Sequence, residues 1–374
     1  MCTVGETVTI HKDPFAYIAH PTITILASGD WLAGFNHSRR RERILHPPDD
    51  PLFRTLTSRS TDNGATWHAP VFAPDFDWYG TECPGLATTG TGTVLLSQHR
   101  LRWYPLPLAK KKREAGERIS IALPENGWTE DFTEADWDRS QYTWARGYHG
   151  LYVQRSTDDG HLYEQTVRLK CDPYRNGYTR TGVTLLSDGR LAYAVTEKYP
   201  LNIHTYLFFS EDDGVSWSAP VIICSSGDRS FGEPDIAETR AGEIYCILRE
   251  SAASPTKSGH LFDCRSTDGG RSWSKPRITT MYGKPGQLLV LGDGRLLCTY
   301  GRRTSPFGIR ASVSEDGGRT WTEDGGIVIR DDLPNGDLGY PTAIEYEPGR
   351  LFCIYYGQHD DGVTCVMGTY VDLD

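Results

Sequence analysis

The sequence predicts an all-β chain that folds as a six-bladed β-propeller, and three observations lead to this prediction. A phrase of the form Ser-x-Asp-x-Gly-x-x-Trp is written five times with small variations. Later copies follow one another at about 50 residues, the repeat length of a four-stranded propeller blade. A second, alternating strand–turn–strand pattern supplies the other strands of each unit.

The repeated phrase is predicted to form a tight hairpin turn. Its copies are STDNGATW (60–67), STDDGHLY (156–163), SEDDGVSW (210–217), STDGGRSW (266–273) and SEDGGRTW (314–321). The Asp can bond to backbone amides two residues on, and the Gly can take a positive φ. The Trp then buries a large apolar area between neighbouring sheets. We therefore expect the phrase to stabilise the scaffold.

The strand–turn–strand pattern divides the chain into six units. It is read in TITILASGDWLAGF (22–35), GVTLLSDGRLAYAV (182–195), DIAETRAGEIYCIL (235–248), QLLVLGDGRLLCTY (287–300) and AIEYEPGRLFCIYY (343–356). The units begin near His20, Glu82, Tyr178, Glu233, Lys284 and Tyr340. The sixth unit lacks the phrase, so the N-terminal ETVTIHK (6–12) is expected to complete its sheet and close the ring.

The chain is predicted to be one domain, 1–374, with an insertion in the second unit at 103–150. The insertion is rich in charge and Trp, and AKKKREAGER (109–118) within it suggests a short helix. Loops over a binding face are a common place for such segments, so both a lid and a solvated excursion are open interpretations.

Composition and charge exclude several classes of protein. A net charge of −10 over 374 residues argues against nucleic acid or an anionic membrane as partner. No stretch approaches the ~20 apolar residues that span a bilayer. The N-terminus has no basic and apolar secretory signal, so a cytoplasmic location is expected. The nine cysteines have no Cys-x-x-Cys spacing and are expected to be reduced and mostly buried, and no metal or cofactor is expected.

The repeated phrase in this six-unit pattern resembles the Asp-box repeats of the sialidase (neuraminidase) superfamily, over nearly the whole chain. The resemblance implies a sialidase-like propeller whose activity lies at the blade starts and not in the boxes. FGEPDIAETRAGEIYCILRES (231–251) resembles the family segment that supplies a pocket Glu and Arg, here Glu233 and Arg249. FGIRASVSEDGGRTW (307–321) resembles the strand that brings a further Arg, here Arg310. DLGYPTAIEYEPGRLFCIYY (337–356) resembles the stretch with the nucleophilic Tyr, here Tyr340.

The chemistry of an acidic sugar explains why these residue types would be grouped. A carboxylate at the anomeric carbon is held by planar guanidinium groups, here Arg249 and Arg310. It would repel a carboxylate nucleophile, so a neutral Tyr340 deprotonated by Glu233 is expected to attack instead. The function implied is a glycoside hydrolase that releases a terminal, acidic sugar from an oligosaccharide or glycoconjugate.

The first blade departs from the family pattern. The family has an Arg-Ile-Pro motif there, whereas YIAHPTITIL (17–26) places His20 at the position of that Arg. The change implies an altered specificity unless a nearby arginine such as Arg39 reaches the pocket. The following loop, FNHSRRRERILHPPDDPLFR (35–54), offers Asp49 and Asp50 as the acid/base.

Other blade starts carry polar groups that leave two alternatives open. Glu82 and Arg180 are expected to face the pocket and contact the substrate. Glu82 and His20, with His149 or His204, could instead serve a lyase or hydrolase acting on a uronic acid. A non-catalytic carbohydrate-binding propeller is the second alternative. The oligomeric state is left open.

Overall fold

The computed structural model describes residues 2–43, 45–47, 49–73, 79–197, 204–225, 227–251, 257–322 and 326–373. The strands, in chain order, are β1 (Cys2–Lys12), β2 (Ala16–Ile25), β3 (Trp31–Arg39), β4 (Arg54–Ser60), β5 (Val71–Phe72), β6 (Tyr79–Thr88), β7 (Val94–Pro105), β8 (Ile121–Leu123), β9 (Gly127–Thr129), β10 (Trp144–Ser156), β11 (Gln165–Arg168), β12 (Thr184–Leu185), β13 (Leu191–Thr196), β14 (His204–Ser210), β15 (Val221–Ser225), β16 (Phe231–Glu238), β17 (Ile244–Glu250), β18 (His260–Ser266), β19 (Arg277–Tyr282), β20 (Gly286–Val290), β21 (Leu296–Arg302), β22 (Gly308–Ser314), β23 (Ile327–Arg330), β24 (Gly339–Glu347), β25 (Arg350–Gln358) and β26 (Thr364–Leu373).

Six antiparallel four-stranded sheets form the blades of a propeller. From the axis outward they are β2-β3-β4-β5, β6-β7-β10-β11, β12-β13-β14-β15, β16-β17-β18-β19, β20-β21-β22-β23 and β24-β25-β26-β1. The inner strand of the sixth blade contacts that of the first, so the blades form a closed ring. The predicted all-β, six-bladed propeller is confirmed.

The N-terminal strand closes the ring by completing the last blade. Strand β1 pairs antiparallel with β26, and Val8 lies opposite Gly368. The edge of β26 is thereby paired within the same sheet, which removes an exposed row of backbone donors and acceptors. The predicted role of ETVTIHK is confirmed.

The repeated phrases form the hairpin turns between the third and fourth strands. In the fourth copy, Ser266 Oγ donates to Asp268 Oδ1 at 2.8 Å and accepts from the Gly270 amide at 2.8 Å. Asp268 Oδ1 also accepts from the Ser272 amide at 2.9 Å. Gly270 has a φ of 91°, and a Cβ there would lie 2.6 Å from the ring of Phe209. Glycine is therefore required at this position.

Apolar clusters between adjacent blades form the core, and the aromatic residue of each phrase packs against one of them. Trp67 of the first blade stacks on Phe352 of the sixth at 6.3 Å between ring centroids. Trp321 of the fifth blade donates its indole N–H to the Tyr245 hydroxyl of the fourth at 3.1 Å. The phrases thus hold each blade to its predecessor, and their aromatic residues are half-buried between the blades.

The insertion lies between β7 and β10 and has a small core of its own. It contains helix α1 (Leu106–Glu114), the β8–β9 hairpin and a 3₁₀ helix (Glu134–Arg139). Strand β7 continues to Pro105 and β10 begins at Trp144, so the segment outside the blade is shorter than the predicted 103–150. In the described part of the chain, no helix is long and apolar enough to cross a membrane.

Candidate active site

Four inner strands carry the same backbone device at the centre of the ring. A non-glycine residue with positive φ is followed by proline and coincides with a shift of strand register, in His20 (φ 55°), Cys83 (φ 48°), Glu233 (φ 47°) and Tyr340 (φ 51°). A left-handed conformation costs such residues about 1–2 kcal/mol each, and strain of this kind collects at functional sites. The bulges bring these four side chains together around the axis.

Tyr340 and Glu233 meet in a short hydrogen bond. The Tyr340 hydroxyl donates to Glu233 Oε1 at 2.5 Å, and the Tyr178 hydroxyl donates to the same oxygen at 2.9 Å. Arg249 donates to Glu233 Oε2, and its Nη1 lies 3.5 Å from the Tyr340 hydroxyl oxygen. Three residues predicted from two separate segments, Tyr340, Glu233 and Arg249, therefore share one hydrogen-bonded group.

The surroundings keep the Tyr340 hydroxyl protonated until a base acts on it. Burial raises the pKa of Tyr340 well above the usual value of a phenol, and the charge of Glu233 adds to the rise. Arg249 and Arg303 oppose that rise with their positive charges. Glu233, already within hydrogen-bond distance, is the base placed to accept the proton.

Arg303 is a pocket residue that the sequence reasoning missed. Its guanidinium carbon lies 5.5 Å from the centre of the Tyr340 ring, and within the described residues its buried Nε and Nη2 have no hydrogen-bond partner. Arg303 follows the second strand of its blade, and Arg249 stands at the end of the second strand of the preceding blade. The two positions are not equivalent, because Gly301 and not Arg303 corresponds to Arg249 when the two strands are aligned from their first residues. The repeat pattern of the sequence therefore does not point to Arg303.

Two predicted arginines lie outside the Tyr340–Glu233 group. Arg310, on a third strand, donates to the carbonyl oxygens of Ile309 and Arg330. Arg180 is 2 % exposed and donates to the carbonyl oxygen of Pro341 at 2.8 Å. Its guanidinium carbon lies 5.4 Å from the centre of the Tyr340 ring, so Arg180 links inner strands beside Tyr340. Its contact with a substrate stays a prediction.

His20 lies directly beside the proposed nucleophile. Its ring centroid is 4.4 Å from that of Tyr340, in an edge-to-face arrangement, and its Nδ1 is 3.2 Å from Asn36 Oδ1. Burial lowers the pKa of His20 to about 3, so the imidazole is neutral at physiological pH. Arg39, expected to compensate for the missing arginine, is exposed at the end of β3. The first blade therefore presents a neutral group here.

The two predicted acid/base residues have different surroundings. Asp50 is 1 % exposed, and its oxygens accept from Arg41 Nε at 2.8 Å, Arg41 Nη2 at 3.1 Å and the Leu52 amide at 3.0 Å. Asp49 is half-buried, and its Oδ1 accepts from the indole N–H of Trp128 at 2.5 Å. Asp50 thus fixes its own loop, while Asp49 joins that loop to the insertion.

Of the residues of the lyase alternative, Glu82 and His20 are neighbours: burial lowers the pKa of His20, and the charge of Glu82 opposes that fall. Glu82 is buried beside His99, with 3.3 Å between Oε2 and Nδ1, and its neighbour Cys83 takes the pocket position of that blade. His204 bonds Ser225 on outer strands of the third blade. The side chain of His149 lies outside the described residues.

Asp337 is a further carboxylate that the sequence reasoning missed. Its Oδ1 accepts from the hydroxyls of Tyr17 at 2.9 Å and Tyr356 at 3.0 Å. Its buried Oδ2 has no hydrogen-bond partner within the described residues. Tyr17 and Tyr356 pack in one cluster with Tyr340 and Cys83, so Asp337 borders the pocket.

Among the described residues, no three His, Cys, Asp or Glu side chains are grouped as metal ligands.

Comparison with known proteins identifies a family for this chain and several proteins of similar fold. Residues 133–353 match the family model described as a BNR repeat-like domain. A protein of unknown function from Dyadobacter fermentans has a similar structure, with a TM-score of 0.83 and 24 % identity over 100 % of this chain and 99 % of that one. No curated protein matches the chain by sequence.

Two glycosidase structures have the same fold at lower similarity. The NanB sialidase from Streptococcus pneumoniae (K499G mutant) has a TM-score of 0.67 and 16 % identity, over 99 % of this chain and 70 % of that one. The α-L-arabinanase from Penicillium chrysogenum has a TM-score of 0.64 and 14 % identity, over 99 % and 98 %. At these identities the likeness establishes the fold.

Proposed function

Since the chain belongs to the BNR repeat-like family, we propose that it is a glycoside hydrolase that releases a terminal, acidic sugar from a glycan or glycoconjugate. The observation that carries the proposal is the hydrogen bond of 2.5 Å between the Tyr340 hydroxyl and Glu233, with Arg249 bound to the same carboxylate. Packing of a buried tyrosine does not require an ion pair, such as that of Glu233 and Arg249, beside its hydroxyl group. A nucleophile that must be deprotonated does need a base at this distance.

The proposed reaction has two steps. Glu233 takes the Tyr340 proton while the phenolic oxygen attacks the anomeric carbon, and the departing glycosidic oxygen receives a proton from an acid. In the second step the carboxylate of that acid takes a proton from water as the water oxygen attacks the anomeric carbon, which restores the acid. The glycosyl–tyrosine bond breaks, and Glu233 returns its proton to the phenolic oxygen. Arg249 keeps Glu233 oriented and stabilises negative charge on the phenolic oxygen as it develops.

Positive charge around Tyr340 supports an acidic sugar. Arg303 offers donors beside the ring that have no hydrogen-bond partner within the described residues. Lys284 lies close enough to Arg249, Arg303 and Lys257 that, after burial, their charges lower its pKa. A cluster of cations in a chain of net charge −10 favours an anionic ligand at this place. In this proposal Arg303, and not Arg310, is the second guanidinium of the carboxylate clamp.

For the acid/base we propose Asp49 rather than Asp50. Arg41 and the Leu52 amide already occupy the oxygens of Asp50, whereas a single Trp128 N–H is bound to Asp49. The second candidate is Asp337, which is supported by its buried Oδ2, an atom that has no hydrogen-bond partner in the part of the chain that the structure describes.

The proposal is tested by turnover of aryl glycosides. The protein is incubated with aryl α-sialosides, aryl β-glucuronides and aryl α-L-arabinofuranosides, the last because an arabinanase has the same fold. Tyr340→Phe is expected to abolish release of the aryl group. Tyr355→Phe is the matched control, because that hydroxyl bonds Thr369 within the blade. Release of an unsaturated uronate would favour a lyase. Sugar binding without any turnover would favour the non-catalytic alternative.

A further inference from the structure

The amide of Asn36 fixes which nitrogen of His20 carries its proton. Asn36 Oδ1 accepts from the backbone N–H of Cys83 at 2.8 Å, and Asn36 Nδ2 donates to the carbonyl oxygen of Thr81 at 3.4 Å. A backbone N–H can only donate and a carbonyl oxygen can only accept, so the amide has one orientation. The His20 Nδ1, 3.2 Å from Asn36 Oδ1, must therefore be the donor of that bond.

The remaining nitrogen of His20 is consequently an acceptor. A neutral imidazole with its proton on Nδ1 has a lone pair on Nε2. Within the described residues, Nε2 has no hydrogen-bond partner. His20 is 6 % exposed, and the neighbouring Tyr340 and Glu233 are exposed to nearly the same small extent. Tyr340 and Tyr356 pack against the imidazole, with 4.4 and 5.8 Å between ring centroids, and the Nε2 lone pair is the acceptor that His20 has left for a ligand.

We propose that His20 is a specificity-determining residue whose Nε2 accepts a hydrogen bond from a hydroxyl group of the bound sugar beside the reacting carbon. The inference rests on the proposed function, because it assumes that the pocket holds a sugar. It adds a direction to the binding mode. A lone pair repels carboxylate oxygens, so the acidic group of the substrate lies on the side of Arg249 and Arg303, and a hydroxyl faces His20.

The first test reads the protonation of His20 without any substrate. The full chain is labelled with ¹⁵N-histidine, and the two-bond ¹H–¹⁵N correlations of His20 are assigned with His20→Gln at pH 7. The expected pattern has a protonated Nδ1 and an unprotonated Nε2. Asn36→Leu removes the acceptor and is expected to yield a mixture of tautomers. A protonated Nε2 or a charged imidazolium in the unmodified chain would overturn the inference, whatever the enzymatic activity.

The second test uses D-glucuronate and acetate as probes of the same signal. Glucuronate carries hydroxyls and a carboxylate, whereas acetate carries only a carboxylate. Glucuronate is expected to shift the Nε2 resonance in the direction of an accepted hydrogen bond, and acetate is expected to leave it in place. A shift with acetate, or none with glucuronate at saturating concentration, would contradict the assignment.

A third measurement separates this inference from the proposed function. On the aryl glycoside that the chain cleaves, His20→Leu is expected to lower kcat/KM about 10- to 100-fold, and His20→Gln, which keeps an acceptor, to recover most of the loss. Equal losses in both variants would reject the acceptor role and leave the hydrolase intact. Failure of every glycoside, with the tautomer and the glucuronate shift as expected, would reject the hydrolase alone.

Discussion

At the scale of single residues, the site is organised around the carboxylate of Glu233. Both Tyr340 and Tyr178 donate to Oε1, while Arg249 donates to Oε2. A carboxylate that receives several donors is held in its charged form and in one orientation. Glu233 is thereby ready to accept a proton from Tyr340, and Tyr178 adjusts how readily it does so.

The role of Tyr178 leads to a prediction for pH dependence. Tyr178→Phe removes a donor that stabilises the charged carboxylate of Glu233 and leaves the ring in place. The acidic limb of the kcat/KM profile is therefore expected to move to higher pH, with activity above that limb reduced far less than in Tyr340→Phe. Profiles of the two chains on one aryl glycoside provide the measurement. An unmoved limb would show that Glu233 is not the group titrated there.

The three acidic candidates for proton donor are separated by their amide variants. Asp49→Asn is expected to lower turnover by about 10²–10⁴-fold on glycosides with poor leaving groups, and much less on activated aryl glycosides. Asp50→Asn breaks the pairing with Arg41 and is expected to lower the midpoint of thermal unfolding. It is expected to lower turnover by the folded chain much less than Asp49→Asn does. The same leaving-group dependence in Asp337→Asn, and not in Asp49→Asn, would transfer the role to Asp337.

The resemblance of two segments to the sialidase superfamily was enough to name Tyr340, Glu233 and Arg249, which the structure brings into one hydrogen-bonded group. The resemblance was not enough for Arg303 and Cys83, because each follows from a register shift or a strand end that only the folded blade defines. The bulge before Pro84 brings Cys83 into the cluster with Tyr340. Glu82, also predicted for the pocket, lies near enough to His20 for its charge to oppose the fall in pKa that burial causes there. Arg310 was chosen because it stands close before a repeated phrase, yet its guanidinium is used on backbone carbonyls of the outer strands.

At the scale of elements, four inner strands have a residue with positive φ at the pocket. One of them, β16, also carries the buried carboxyl group of Asp235. Asp235 lies two residues below Glu233 on β16 and accepts from the Leu288 amide at 2.7 Å. Burial raises the pKa of Asp235 to about 6. The folded chain therefore keeps this proton at pH values where an unfolded chain has lost it, so this group contributes less to stability as pH rises.

Asp235→Asn is expected to remove that dependence. Between about pH 4 and pH 6, the free energy of unfolding of the unmodified chain should fall relative to that of the variant, by up to about 3 kcal/mol, and the difference should then stay constant to pH 8. Urea unfolding of both chains across this range is the measurement. A difference that grows in the opposite direction would mean that Asp235 is charged in the folded chain at low pH.

The repeated turns make a prediction that separates scaffold from chemistry. Ser266→Ala removes the bonds to Asp268 and to the Gly270 amide, and is expected to lower the free energy of unfolding by about 1–3 kcal/mol with kcat/KM unchanged. Ser28→Ala, at an exposed turn, is the control and should change stability by less than about 0.5 kcal/mol. Loss of activity in the folded Ser266→Ala chain would contradict a purely structural role for the phrase.

At the scale of the whole molecule, the ring gathers residues that are far apart in the chain. Four blades supply the residues with positive φ at the pocket, which are His20, Cys83, Glu233 and Tyr340. The closure of the sixth blade by β1 brings the ring centroids of His20 and Tyr340 to 4.4 Å from each other. The repeat could be predicted from the sequence because each unit follows a local pattern of turns and alternation. The pocket could be predicted only in part, because it is formed where the units differ.

The central claim is that Tyr340 carries the sugar during the reaction. The most direct test is peptide mass spectrometry after incubation with the fluorosugar analogue of the aryl glycoside that the chain cleaves, which slows hydrolysis of the glycosyl–enzyme. We expect one glycosyl group on the peptide that contains Tyr340, its absence in Tyr340→Phe, and its retention in Tyr355→Phe. A glycosyl group on Glu233, or turnover by Tyr340→Phe at the rate of the unmodified chain, would contradict the account.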